Sequence, residues 1–258
     1  MNQQEVMAAY NHYERITIEI PGFEKSLSDG LVRFRSAQAQ GGFISFFDLD
    51  ENNLSSVIHR QIAYFSEGAP FFEWKTYSTD QPASIGQYLT SHGFQQGAPE
   101  SFMVLDLAEV TPVRPSPGLI TEVHDFKGIQ DAMKVQEAVW QTDQSDHLDN
   151  LLYLKQTQPD TVSVYVIYEQ EEPVSSAWII FNGQSPFAGV WGGSTIARCR
   201  GKGYYTALLQ QRIDDACRRG KRYLTIDASE MSRPIVARHG FQWVAETVPY
   251  IYRAPEMS

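Results

Sequence analysis

The chain has 258 residues, 42% of them hydrophobic, 20% charged and 12% aromatic, which is enough for one large or two ordinary soluble domains with their own cores. A net charge of -10 argues against a nucleic-acid binder, and no run reaches the roughly 18 apolar residues of a membrane span. The two cysteines, Cys199 and Cys217, have no metal-ligand spacing and make no disulfide framework, and the first residues lack a signal-peptide pattern, so a cytoplasmic protein without a metal site is expected.

The charge is uneven along the chain. Residues 1–110 hold 14 acidic against 6 basic side chains, whereas residues 111–258 hold 17 against 15. Eight basic residues (Arg198, Arg200, Lys202, Arg212, Arg218, Arg219, Lys221 and Arg222) fall between positions 198 and 222. This clustering suits a local anion site, with Arg212, Arg218 and Arg219 expected on a solvated helix face.

In chain order, an apolar helix pattern runs from Leu54 to Phe65, followed by a strand at Phe72–Ser78 (FEWKTYS), a short helix, and HGFQ at His92–Gln95 before another strand. Residues 109–118 (EVTPVRPSPG) are rich in proline and read as a linker. Beyond it come a strand near Leu119–Val123, a helix at Phe126–Trp140 with Asp125 as N-cap, and a second helix at Asp146–Gln156. Three apolar runs, Thr161–Tyr168, Val174–Phe181 and Phe187–Ile196, are separated by turn-forming stretches and predict three antiparallel strands. A glycine-rich loop then opens a helix at Tyr204–Arg219, which Gly220 ends. A buried strand (RYLTIDA), a short helix (SRPIVARH) and one or two last strands (FQWVAETVPYIY) complete the chain.

Two features carry the functional argument. Thr195–Gln210 (TIARCRGKGYYTALLQ) runs from strand through loop into helix, where Gly201 and Gly203 leave the backbone bare and the first helical N–H groups face an incoming anion. A diphosphate-bearing cofactor suits that arrangement; plain chain reversal is the competing reading. Walker A is excluded, because Gly201-Lys202 is followed by Gly203. The second feature is a repeat: HGFQ recurs at His239–Gln242, and helix, strand, helix and strand precede and follow it in the same order in both halves. Where the second half has its glycine loop, the first has FFDLDENNLSS, with Asp48, Asp50 and Glu51 in place of glycines and cations.

These residues resemble the GNAT superfamily of acyl-CoA-dependent N-acyltransferases, whose Arg/Gln-x-x-Gly-x-Gly/Ala motif precedes a helix. Arg198-x-x-Gly201-x-Gly203 fits every letter, but the spacing to Thr206–Leu209 favours Arg200-x-x-Gly203-x-Tyr205, which puts Tyr205 in place of a small residue. The resemblance covers about 119–253 well and 30–107 in outline. It implies a mixed α/β (α+β) fold of two GNAT-like domains, each a mostly antiparallel sheet flanked by helices: a degenerate copy at 1–110, a linker at 111–118 and an acyltransferase domain at 119–258.

It also implies acetyl-CoA as cofactor, with the pantetheine arm along Gly193, Ser194 and Thr195, where Gly192 and Gly193 suit a strand bulge. The pyrophosphate would lie on Arg200, Gly201, Lys202, Gly203, Tyr204 and Tyr205, and Ser229 near the family's cofactor-contacting asparagine. Ser229 reads equally as an N-cap. The family's usual tyrosine acid is missing, since its place is Val236; Tyr205 or Tyr252 could substitute, though either could be a core aromatic, or water could protonate the thiol. Asp227 is the candidate base, with a turn cap as the competing reading, and His239, shared with His92, is expected to be structural. Glu246 and Trp140–Asp143 could border the acceptor pocket. The expected acceptor is an amine of a small molecule or protein; an inactive acyl-CoA-binding sensor or interaction module, and a nucleotide-binding protein of another kind, stay open.

Overall fold

Contacts in the computed structural model, which describes residues 1–37, 41–66, 71–110 and 118–254, divide the protein into two units. Met1–Met103 with the stretch from Asp227 onward forms one, and Val104–Ile226 the other.

The first unit opens with α1 (Gln3–Tyr10), capped by the Asn2 side chain and continued by a π-helical turn over Asn11–Ile16. Strands β1 (Phe23–Ser28) and β2 (Leu31–Ser36) form a hairpin across Asp29-Gly30, both at positive φ, as a two-residue turn requires. β3 (Gly42–Phe47) pairs antiparallel with β2, and α2 (Leu54–Ser66) then leads to β4 (Phe71–Tyr77), which lies parallel to β3 from Gly42↔Phe72 to Ile44↔Trp74. α2 buries Leu54, Val57, Ile58, Gln61 and Phe65, the one-sided spacing of an amphipathic helix. Phe47, Trp74, Phe72 and Phe94 complete that core, each such ring contributing about 1.5–3 kcal/mol by its burial. α3 (Ile85–Ser91), β5 (Gln95–Gln96) and β6 (Glu100–Asp106) follow, and the chain passes between units within β6.

The second unit comprises β7 (Thr121–Val123), α4 (Phe126–Trp140), α5 (Ser145–Thr157), β8 (Val162–Glu169), β9 (Glu172–Phe181), β10 (Phe187–Thr195), α6 (Tyr204–Arg218) and β11 (Tyr223–Ala228) as far as Ile226. Its strands lie in the order β11-β10-β9-β8-β7, antiparallel except for β10 with β11. Asp125 caps α4 by accepting from the Gly128 N–H at 2.8 Å, as expected from the sequence. The core packs Ile129, Met133, Leu151 and Leu154 of the two helices on Val162, Val164, Val166 and Trp178. The fold is thus mixed α/β with a mostly antiparallel sheet flanked by helices.

The C-terminal stretch departs from expectation. α7 (Arg233–Arg238) and a single long strand, β12 (Gln242–Arg253), belong with the first unit, not with the expected 119–258 block. The reason is pairing: β12 lies antiparallel to β4 from Thr247↔Tyr77 to Arg253↔Phe71, and Tyr250 enters the core around Trp74. Residues 111–117 of the expected linker lie outside the described residues.

Candidate functional site

The loop and bulge residues singled out in the sequence all lie in the second unit. Along β10, Trp191 pairs with Trp178 and Ser194 with Ser176, three steps against two, so one extra residue bulges at Gly192-Gly193. Gly192 sits at φ +58, and a Cβ there would fall 1.8 Å from the Trp178 ring. Only glycine fits. Parallel pairing with β11 ends at Gly189↔Thr225, and beyond it β10 runs on to Thr195 paired, among the described residues, with β9 alone. The two strands therefore part where the bulge begins.

Buried polar side chains of α4 and β9 hold that bulge. Gln136 is 2% exposed; its Nε2 donates to the Gly192 carbonyl at 2.6 Å and to Ser176 Oγ at 2.7 Å. Its Oε1 accepts from Ser194 Oγ at 2.9 Å, and the half-exposed Trp140 donates its Nε1–H to that same hydroxyl at 3.1 Å. Ser175 donates to the Ser194 carbonyl at 2.7 Å. The sequence reading missed Gln136, Ser175 and Ser176. Gln136 could have been noticed, being an amide on the same helix face as Ile129, Ala132 and Met133, a stripe normally left apolar.

The loop between β10 and α6 meets the requirements of an anion cradle. Gly201 and Gly203 stand at φ +78 and +84, and nothing lies within 4 Å of a Cβ built on either. Gly203 is the N-cap residue of α6, and no side chain caps the helix, so its first-turn N–H groups are left for an external acceptor. Arg200 donates from Nε to the Thr195 carbonyl at 3.1 Å. Lys202 is held on Glu169 at 2.7 Å, and Tyr204 donates its hydroxyl to that carboxylate, so both keep Glu169 below the usual carboxylate range.

Tyr205, the residue out of place in the motif, is turned onto the bulge. Its ring carbon Cε2 lies 2.9 Å from a Cβ built on Gly193, and burial raises its phenol above the ordinary value. Beside it lies Arg212, expected on a solvated face but 1% exposed: α6 turns it inward with Leu208, Leu209 and Ile213. Arg218 and Arg219, by contrast, reach Asp214 and Asp215 at the far end of the helix.

Asp227, Ser229 and Tyr252 fall in the first unit. Asp227 Oδ2 accepts from Lys75 Nζ at 2.5 Å, a partner that neither the base nor the turn-cap reading foresaw, and its Oδ1 is buried without a hydrogen bond. Ser229 accepts from the Ser232 N–H at 3.3 Å, closing its own turn ahead of α7. The Tyr252 ring, partly buried, packs on Phe72 and Phe94 at 5.8 and 5.3 Å. Val236 is fully buried. In the first unit's own strand-to-helix loop, Asp50 accepts from the Asn52 N–H at 2.9 Å and Glu51 from Ser84, so carboxylates stand where α6 has no side-chain cap.

Residues 129–241 match the model of the acetyltransferase (GNAT) family. Solved structures with this fold include a GCN5-related N-acetyltransferase from Kribbella flavida, at TM-score 0.69 and 14% identity over 97% of this chain and 96% of that one. A tandem GNAT protein from the clavulanic acid biosynthesis pathway aligns at TM-score 0.59 and 12% identity over 98% and 88% of the two chains. A GCN5-related N-acetyltransferase from Sphaerobacter thermophilus aligns at 0.58 and 14% over 99% and 87%. No curated protein matches the sequence significantly. Among the described residues no helix is long and apolar enough to cross a membrane.

Proposed function

We propose that the protein is an acyl-CoA-dependent N-acyltransferase acting on an amine of a small molecule or a protein, with acetyl-CoA, which GNAT proteins generally use, as the reference donor. The observation that carries this reading is the coincidence, within one unit, of the bulge at Gly192-Gly193, the parting of β10 from β11, and the open, uncapped start of α6. Gly193, Ser194 and Thr195 would hold the arm of the cofactor, and Arg200–Tyr205 its diphosphate. Bound there, acyl-CoA would supply an activated acyl carbon to which an amine nitrogen bonds as the carbon–sulfur bond breaks. Tyr205, kept protonated by burial, is the proposed proton donor to sulfur. The first unit is proposed to be a degenerate copy that holds no cofactor, because Asp50 already occupies the donors at its loop and its charge repels phosphate.

Titration calorimetry tests this directly. Wild-type protein should bind one equivalent of acetyl-CoA, and Gly203→Val, which cannot take φ +84 without strain, should weaken binding about tenfold or more. An absence of heat with the wild type would sink the proposal. Val236, buried where the family carries its tyrosine, favours a second reading, a non-catalytic acyl-CoA sensor. Steady turnover of any amine by pure protein excludes it.

A further inference from the structure

Among the described residues Arg212 has no counter-ion. Its Nε donates to the Leu208 carbonyl at 3.1 Å and its Nη1 to the Trp191 carbonyl at 3.2 Å, while Nη2 is buried with no partner. Nη2 lies 3.4 Å from a Cβ built on Gly193, so the unfilled donor points at the bulge. Asp215, three residues on along α6, is occupied by Tyr165, Arg218 and Arg219. Leaving a guanidinium buried and uncompensated costs several kcal/mol, a cost that an anion seated against Nη2 would offset. Burial accordingly pushes the Arg212 guanidinium down to about 10.

The cofactor diphosphate cannot be that anion. Arg212 is eight residues into α6 from Tyr204, about 12 Å along the axis from the phosphate-facing end at 1.5 Å per residue. What passes the bulge, if the proposed function holds, is the acyl end of the donor. We propose that Arg212 selects a donor whose acyl chain ends in a carboxylate, so that the transferred group is the half-acid of a short dicarboxylic acid instead of acetyl. Gly193 keeps side-chain atoms off Nη2 on that side, and the Tyr205 ring, 2.9 Å from a Cβ built on Gly193, must swing aside for such a tail to reach it. An arginine suits this task because its planar fork can keep Trp191 on one nitrogen while the other takes the carboxylate.

The inference rests on the acyltransferase reading, and the test separates the two. Calorimetry on the full chain with CoA, acetyl-CoA, malonyl-CoA and succinyl-CoA should give the tightest binding for a carboxylated donor, about tenfold over acetyl-CoA, the scale of one charge-assisted hydrogen bond. Arg212→Met should abolish that preference while leaving the affinity for CoA itself within about twofold of wild type. CoA binding without any preference in the wild type overturns the Arg212 inference alone, whatever becomes of the variant. An Arg212-dependent KM for an amino-acid acceptor with equal donor affinities overturns it too, because the carboxylate then belongs to the acceptor. No binding of any CoA species overturns both readings.

Discussion

Asp227 shows how one residue can look catalytic in a sequence and be committed elsewhere in the fold. It stands at the end of β11, where a base is expected, yet its carboxylate holds the ammonium of Lys75, which this pairing raises above the ordinary lysine value against the pull of burial. The pair is 22% and 14% exposed at the side chains, so breaking it from one side leaves a largely buried charge. Asp227→Asn should lower unfolding stability by about 3 kcal/mol, the low end for a buried pair, as read by urea denaturation. Replacing both partners, Lys75→Met with Asp227→Leu, should restore most of that stability. If Asp227 is also the base, the double variant stays inactive; recovered turnover would reduce Asp227 to an ion-pair partner. Gly192 and Gly193 were legible as a bulge because glycine in a strong strand has few other uses. Arg212 and Gln136 were not, because charged and amide side chains usually mark the surface, and only the rotation of their helices inside the packed unit turns them inward.

Helix ends account for the repeat that first suggested duplication. In both copies of HGF the histidine is the C-cap, the glycine takes the left-handed conformation at φ +91 or +92, and the phenylalanine N–H returns to the carbonyl of Leu89 or Val236. That is a Schellman stop with its apolar anchor, Phe94 or Phe241, in the core. The shared histidine is therefore a structural element. α4 offers the clearest pH dependence. Burial alone would raise Asp131, but hydrogen bonds from Lys127 and Lys134, each at 2.8 Å, outweigh it and hold the carboxylate below its ordinary value. A folded value below the unfolded one means stability that is present above the usual aspartate pKa of about 4 and is lost as pH falls through the folded value. Thermal unfolding between pH 6 and pH 2, values chosen to span about that range, should show a shallower acid limb for Asp131→Asn than for wild type. Parallel curves would refute the assignment.

At the scale of the whole molecule, the division of the chain differs from the order of its sequence. β12 completes the first unit by pairing with β4, so a fragment starting at residue 119 would carry β12 without its partner. Such a fragment should aggregate or expose its last strand to protease, whereas the full chain should resist cleavage there. A soluble, protected fragment would return the boundary to the linker. Local chemistry determined most of what the sequence revealed: the elements of the second unit from Phe126 to Ala228, the bulge glycines, the loop and the helix stops, because each depends on residues close together in the chain. Tertiary structure alone decided which strand β12 joins, that Asp227 meets Lys75, and that Arg212 faces Gly193. Those are contacts between segments distant in sequence or choices of which helix face is buried, and both are settled by packing and pairing across the whole unit, which no local pattern encodes.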